Sequence, residues 1–175
     1  APRAYITPFW REAPPQVKAR KNQRASGNAA NEPAELIARP MVLFADDDPV
    51  ARSIAHKVVS SLGFGIAVAE DGEAALALAR LYRPELLITD ALMPKLDGRE
   101  MCRLLKEEPG FAGTKMVVMT GLYADSKFKA EAIKRFGIDD YLVKPVSITD
   151  LINLMQRHLE GVLDLPAQEN LYDLH

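Results

Sequence analysis

The feature that most constrains this chain is a series of short apolar runs, each followed by a helical pattern. Met41–Ala45, Gly65–Ala69, Glu85–Thr89, Lys115–Thr120 and Tyr141–Val143 are dominated by Val, Ile, Leu, Met and Ala, without regular alternation of apolar and polar residues. A strand buried on both faces of a parallel sheet reads in this way. Between them lie helical patterns over Pro49–Leu62, Gly72–Leu81, Arg99–Lys106, roughly Lys127–Phe136, and Ile148–Leu159. In the first, Ala51, Ile54, Ala55, Val58 and Leu62 fall at helical spacing, and in the last Leu151, Ile152, Met155 and Leu159 share a face. Five strands alternating with five helices predict an α/β fold, with helices on both faces of a parallel sheet and right-handed crossovers.

A length of 175 residues suits one ordinary domain with appendages rather than two full domains. Composition changes near residue 40. Before it come Pro2, Pro8, Pro14, Pro15 and Pro33, and the stretch Gln16–Glu35 has neither a helical nor a strand period. Residues 1–39 therefore read as an arm or linker, 40–160 as the domain, and 161–175 as a tail with at most one short helix after Pro166. No output domain is expected in this chain. Arg3, Arg11, Lys18, Arg20, Lys21, Arg24 and Arg39 against Glu12, Glu32 and Glu35 give the arm a charge of +4, leaving −6 on the rest. A basic arm on an acidic body raises nucleic-acid binding, but a solvated linker is the ordinary reading of such a composition. With no helix-turn-helix pattern, no nucleic-acid partner is expected. The cluster Tyr5, Ile6, Phe9 and Trp10 is the arm's exception: alone in water it would be poorly buried, so it is expected to dock on a surface. No apolar run approaches the roughly 18 residues of a membrane span, so no membrane partner is expected. The N-terminus also lacks the apolar stretch of a secretory signal. The lone cysteine, Cys102, excludes an intrachain disulfide and fits a cytoplasmic location.

Ligands of an open parallel sheet bind at the carboxyl ends of its strands. The first strand ends in Asp46, Asp47 and Asp48, the third in Asp90, the fourth in Thr120, and the fifth leads to Lys144. Carboxylates crowded on one rim repel one another, and a hard cation with oxygen ligands relieves the conflict. Asp48 precedes Pro49, which suits the first helical position, so Asp48 reads as the helix cap. Asp46 and Asp47 remain for the metal.

The run Val42-Leu43-Phe44-Ala45-Asp46-Asp47-Asp48-Pro49 resembles the opening of receiver domains of bacterial two-component response regulators. So do Leu87-Ile88-Thr89-Asp90-Ala91-Leu92-Met93-Pro94, Met116-Val117-Val118-Met119-Thr120-Gly121 and Tyr141-Leu142-Val143-Lys144-Pro145. The resemblance spans about Met41 to Leu159. It implies a flavodoxin-like (βα)5 doubly wound sheet with strand order 2-1-3-4-5. It further implies that Asp90 is the phosphoacceptor, and that Mg²⁺ (or Mn²⁺) lies among Asp46, Asp47, Asp90 and the backbone carbonyl of Leu92. Lys144 would offset phosphoryl charge, and Thr120 and Tyr141 would form the switch. A cis bond between Lys144 and Pro145 is implied as well. The donor would be a histidine kinase or a histidine phosphotransfer protein. The downstream protein is not legible, and a homodimer would use the face of the fourth helix, fifth strand and fifth helix.

Two departures carry expectations of their own. Thr120 and Lys144 are 24 positions apart, about two more than the family pattern, which lengthens the loop around Leu122–Ser126 or the fourth helix. Leu92 and Leu122, two residues past Asp90 and Thr120, are apolar where fast self-dephosphorylating receivers place polar groups, so slow self-dephosphorylation is expected. Two other readings compete. A pseudo-receiver would dock partners without phosphorylation. A haloacid-dehalogenase-like phosphatase would use Asp46 and Asp48, but Pro49 leaves no room for its loop insertions, and Asp139 and Asp140 precede Lys144 instead of following it. Cys102 reads as a small buried apolar residue, and His56, His158 and His175 show no metal-ligand spacing.

Overall fold

The computed structural model describes residues 42–121 and 126–159, the side chains of residues 126–129 and 132 excepted. The strands are β1 (Val42–Ala45), β2 (Ile66–Ala69), β3 (Leu86–Asp90), β4 (Lys115–Thr120) and β5 (Asp140–Val143). The helices are α1 (Pro49–Ser61), α2 (Gly72–Tyr82), α3 (Gly98–Lys106), α4 (Ser126–Phe136) and α5 (Ile148–Leu159). All strand pairs are parallel and the order is β2-β1-β3-β4-β5, so the expected flavodoxin-like doubly wound topology is the observed one.

The apolar runs are split by the strand's twofold period into two cores. Val42 and Phe44 of β1, Leu86 and Ile88 of β3, and Val117 and Met119 of β4 face α1 and α5, meeting Ala55, Val59, Leu151 and Met155. Leu43, Leu87, Met116 and Val118 face the other way, onto Ala75 and Leu78 of α2 and Met101 and Cys102 of α3. Successive side chains of a strand point to opposite faces, so a strand covered on both sides has no polar face to show.

Three aspartates start three helices. Asp48, Asp71 and Asp97 hold extended backbone at the caps of α1, α2 and α3, and each side chain accepts an amide of the first turn. The expected role of Asp48 is thus observed, with Val50 N donating to Asp48 Oδ1 at 2.9 Å. At the start of α3 a side chain has no room: a Cβ on Gly98 would lie 2.0 Å from the Asp90 carbonyl oxygen. This close approach sets α3 against the tip of β3, and the Gly98 amide donates to the Ala91 carbonyl there.

The differences from the sequence reading are small. α3 begins at Gly98, one residue earlier than the pattern predicts, because Asp97 caps it. A 3-10 turn at Pro109–Phe111 carries the buried Phe111, and one apolar residue in a loop leaves no periodic trace. The arm over 1–39, the tail over 161–175 and Leu122 lie outside the described residues. Among the described residues, no helix is long and apolar enough to cross a membrane.

Candidate functional site

The carboxyl ends of β1, β3, β4 and β5 bring the expected polar residues to one rim. Asp46 follows β1 directly and is 1% exposed. Its Oδ1 accepts the Asp48 amide at 2.9 Å, its Oδ2 accepts the Lys144 ammonium at 2.8 Å, and its carbonyl accepts Arg52 at 2.7 Å. Asp90, the last residue of β3, is also buried. Its Oδ2 accepts Lys144 at 2.8 Å, and its Oδ1 lies 3.4 Å from the Leu92 amide. Asp47 is exposed at the mouth. One carboxylate oxygen from each of Asp46, Asp47 and Asp90 lies within 4.8 Å of the others.

Lys144 reaches this rim because β5 ends beside β4. Val143 is in register with Thr120, and the Lys144 amide donates to the Thr120 carbonyl at 2.8 Å. The Lys144–Pro145 bond is cis. Partial burial works against the ammonium, but hydrogen bonds and charge from Asp46 and Asp90 outweigh it, and its pKa stands above the ordinary lysine value. Lys144 is therefore a fixed positive charge at any physiological pH.

Three clustered carboxylates, two of them paired with one ammonium, leave an excess of negative charge at the rim. Packed this closely in a half-buried rim, they favour a ligand carrying two positive charges and oxygen-seeking chemistry. Mg²⁺ and Mn²⁺ meet both requirements. Asp48 does not enter this set, since its carboxylate is turned to the α1 amides.

Thr120 is buried at the tip of β4. Tyr141, on the adjacent β5 in register with Val118, packs its ring against the α2–α3 core. Its hydroxyl is enclosed, without a hydrogen-bond partner among the described residues. Burial pushes the Tyr141 pKa up, and Arg99 pulls only part of the way back. The ring thus already lies against the core in this structure. Leu92 projects into solvent beside Asp90, 67% exposed. Cys102 is fully buried, and burial pushes its thiol up to about 12, which leaves it an inert core residue.

Asp139 and Asp140, the acidic pair weighed for phosphatase chemistry, are occupied structurally. Asp139 accepts the Met116 amide at 2.8 Å and pairs with Lys106 and Lys115. Asp140 pairs with Arg157 and accepts its neighbour's amide at 2.8 Å. Two contributors escaped the sequence reading. Arg52, one turn into α1, clamps the Asp46 carbonyl. Lys95, at a positive φ of 67° in the loop after β3, donates to Asp71 Oδ2 at 2.6 Å and ties that loop to the start of α2. Neither sits at a strand tip, so the rule that located the other residues passed them over.

Comparison with known proteins gives a consistent result. The family model described as "Response regulator receiver domain" matches residues 42–156. "Response regulator MprA" of Mycobacterium bovis is 32% identical over 130 residues, which cover 74% of this chain and 55% of that protein. The chain thus spans about half the length of the curated relatives it matches. Among solved structures, the chemotaxis response regulator CheY4 of Vibrio cholerae is 28% identical with a TM-score of 0.62, over 67% of this chain and 97% of that one. The receiver domain of a Francisella response regulator is 31% identical with a TM-score of 0.63, over 71% of this chain and 99% of that one.

Proposed function

The chain belongs to the response-regulator receiver family of two-component signalling, and from that premise we propose that Asp90 accepts a phosphoryl group from a phosphohistidine on a partner protein. The observation that carries the reading is the pair of 2.8 Å contacts from Lys144 to Asp46 and Asp90, with an Asp47 carboxylate oxygen within 4.8 Å of theirs. The donor is a histidine kinase or a histidine phosphotransfer protein.

Asp46, Asp47 and Asp90, with the Leu92 carbonyl, would hold Mg²⁺ or Mn²⁺. When bound, the ion supplies neutralisation of the negative charge that gathers on a phosphoryl group in flight. The chain's own residues do the rest. A carboxylate oxygen of Asp90 attacks phosphorus as the phosphorus–nitrogen bond of the donor breaks. The bonding electrons leave on the donor imidazole, and Asp90 becomes a mixed anhydride. Lys144, fixed by two carboxylates before the reaction, turns its charge to the phosphoryl oxygens without reorganisation. The Thr120 hydroxyl then donates to one of those oxygens.

Tyr141 reports that movement. An enclosed hydroxyl without a partner costs about 1–3 kcal/mol, so the ring's inward position is held by its apolar packing against that cost. A shift of Thr120 toward the phosphoryl group changes the space behind it and biases Tyr141, reshaping the face of α4, β5 and α5. That face would meet the downstream protein or a second copy of the chain. Leu92 offers no polar group to orient water at the anhydride, which supports slow self-dephosphorylation, and a phosphate lifetime of seconds in the purified chain would contradict it.

Incubation with Mg²⁺ and acetyl phosphate, followed by intact mass, tests the acceptor. The chain gains one phosphoryl group and the Asp90→Asn variant gains none. No gain in the unaltered chain would favour the pseudo-receiver, which docks partners without phosphorylation.

A further inference from the structure

A groove of about 450 Å³ opens directly beside the acceptor rim, between α1 and the segment entering α5. Its walls are apolar: Phe44, Val50, Ile54, Met119, Ile148 and Leu151. Three of these are left in solvent, with Val50 62%, Ile54 44% and Ile148 54% exposed. The exposed Asp48, with Lys144 and the buried Asp46, also lines it, next to the exposed Asp47. A cleft of this size with apolar walls and a charged lip has the anatomy of a binding site, and among the described residues nothing covers it.

We propose that the N-terminal segment Tyr5–Trp10 of this same chain occupies the groove and thereby screens Asp90 from protein phosphodonors. The fit is chemical at both ends. Tyr5, Ile6, Phe9 and Trp10 supply apolar and aromatic surface to match the walls, and Arg3 and Arg11 flank that cluster, with Glu12 beyond, where the lip is acidic. Opposite charges across a docking face set its register, and aromatic anchors in a pocket supply its affinity.

Reach is not limiting. Thirty-one residues separate Trp10 from Val42, and a chain of that length can reach at most about 100 Å. β1 begins at the far end of the sheet, but its four residues cover only about 13 Å. The tether also keeps the segment's effective concentration high, so an intrinsically weak contact stays formed. Docking itself needs only the groove, whereas its effect on phosphotransfer rests on the acceptor reading above. A donor domain approaching Asp90 across the same lip would be excluded, while a small donor would not.

Trp10 is the chain's only tryptophan and reads its own surroundings. In the full chain, acrylamide quenching of Trp10 is expected to fall about threefold or more below that of a synthetic peptide of residues 1–39, with emission shifted to the blue, independent of protein concentration. Ile54→Glu and, separately, Val50→Glu restore the peptide's quenching with unchanged far-ultraviolet circular dichroism, both positions being solvent-exposed. Peptide-like quenching in the unaltered chain overturns the proposal. So does shielding that both variants leave intact, since the segment then sits elsewhere. Shielding that grows with concentration overturns it in favour of a second copy. Acetyl phosphate labelling, run in parallel, reports on the acceptor alone, so failure there and failure here are separate results.

Discussion

The two ends of the β-sheet each gather aspartates and lysines, and they do so in opposite proportions. At the amino end, the single Asp139 carboxylate receives the Met116 amide and the ammonium groups of Lys106 and Lys115. At the carboxyl end, Asp46 and Asp90 share Lys144, and a carboxylate oxygen of Asp47 lies within 4.8 Å of theirs. Donors exceed acceptors at one end and acceptors exceed donors at the other. A satisfied carboxylate stabilises the fold, while an excess of carboxylates is held together by the fold for some other purpose. Stability alone would select against such an arrangement.

Substitutions at the two ends should therefore behave oppositely. The largest stability effect belongs to Asp139→Ala, which strands the buried Met116 amide and removes the carboxylate partner of both lysines. It should lower unfolding free energy by about 2 kcal/mol in a urea titration and leave acetyl phosphate labelling intact. A neutral result would remove the structural half of the contrast. Next comes Asp71→Ala, which deletes the α2 cap and the partner of Lys95, at about 1 kcal/mol. Its pH dependence sharpens the point. Burial pushes the Asp71 carboxyl up, but the Ala74 amide and Lys95 more than reverse this, so its pKa lies below 3.8. The stabilisation is present above the ordinary carboxyl value and is lost as pH falls through the depressed one. The gap between variant and unaltered chain should then hold steady from neutral pH to about pH 4 and close below it.

Tyr141→Phe removes an enclosed hydroxyl that lacks a partner among the described residues, so thermal unfolding should show a gain of about 1 kcal/mol rather than a loss. The smallest effect is at the acceptor rim itself. Asp47→Asn, exposed and with no donor shown among the described residues, should change stability in chelator by no more than about 0.5 kcal/mol. A large loss there would mean that Asp47 serves the fold as Asp139 does.

Most of this arrangement was legible before any coordinates. Buried parallel strands announce themselves as unbroken apolar runs, and the rule that ligands sit at strand carboxyl ends placed Asp46, Asp90, Thr120 and Lys144 on one rim. Asp48 was recognisable as a cap because Pro49 follows it. Contacts that cross between elements without a periodic signal were not legible. Lys95 meets Asp71 across 24 positions, and Arg52 reaches back to a carbonyl; neither obeys a local spacing rule. Phe111 was hidden for a related reason, since one buried ring in a short turn makes no pattern. The roles of Asp139 and Asp140 became clear only once their donors were in place.

The contrast between the two ends reduces to one physical claim, that the carboxyl rim carries negative charge matched to a divalent cation. Thermal unfolding of the metal-stripped chain with and without saturating Mg²⁺ measures this most directly. The midpoint should rise by about 5 °C or more with the ion, and Asp47→Asn should abolish most of the rise. An unchanged midpoint in the unaltered chain at millimolar Mg²⁺ would contradict the account.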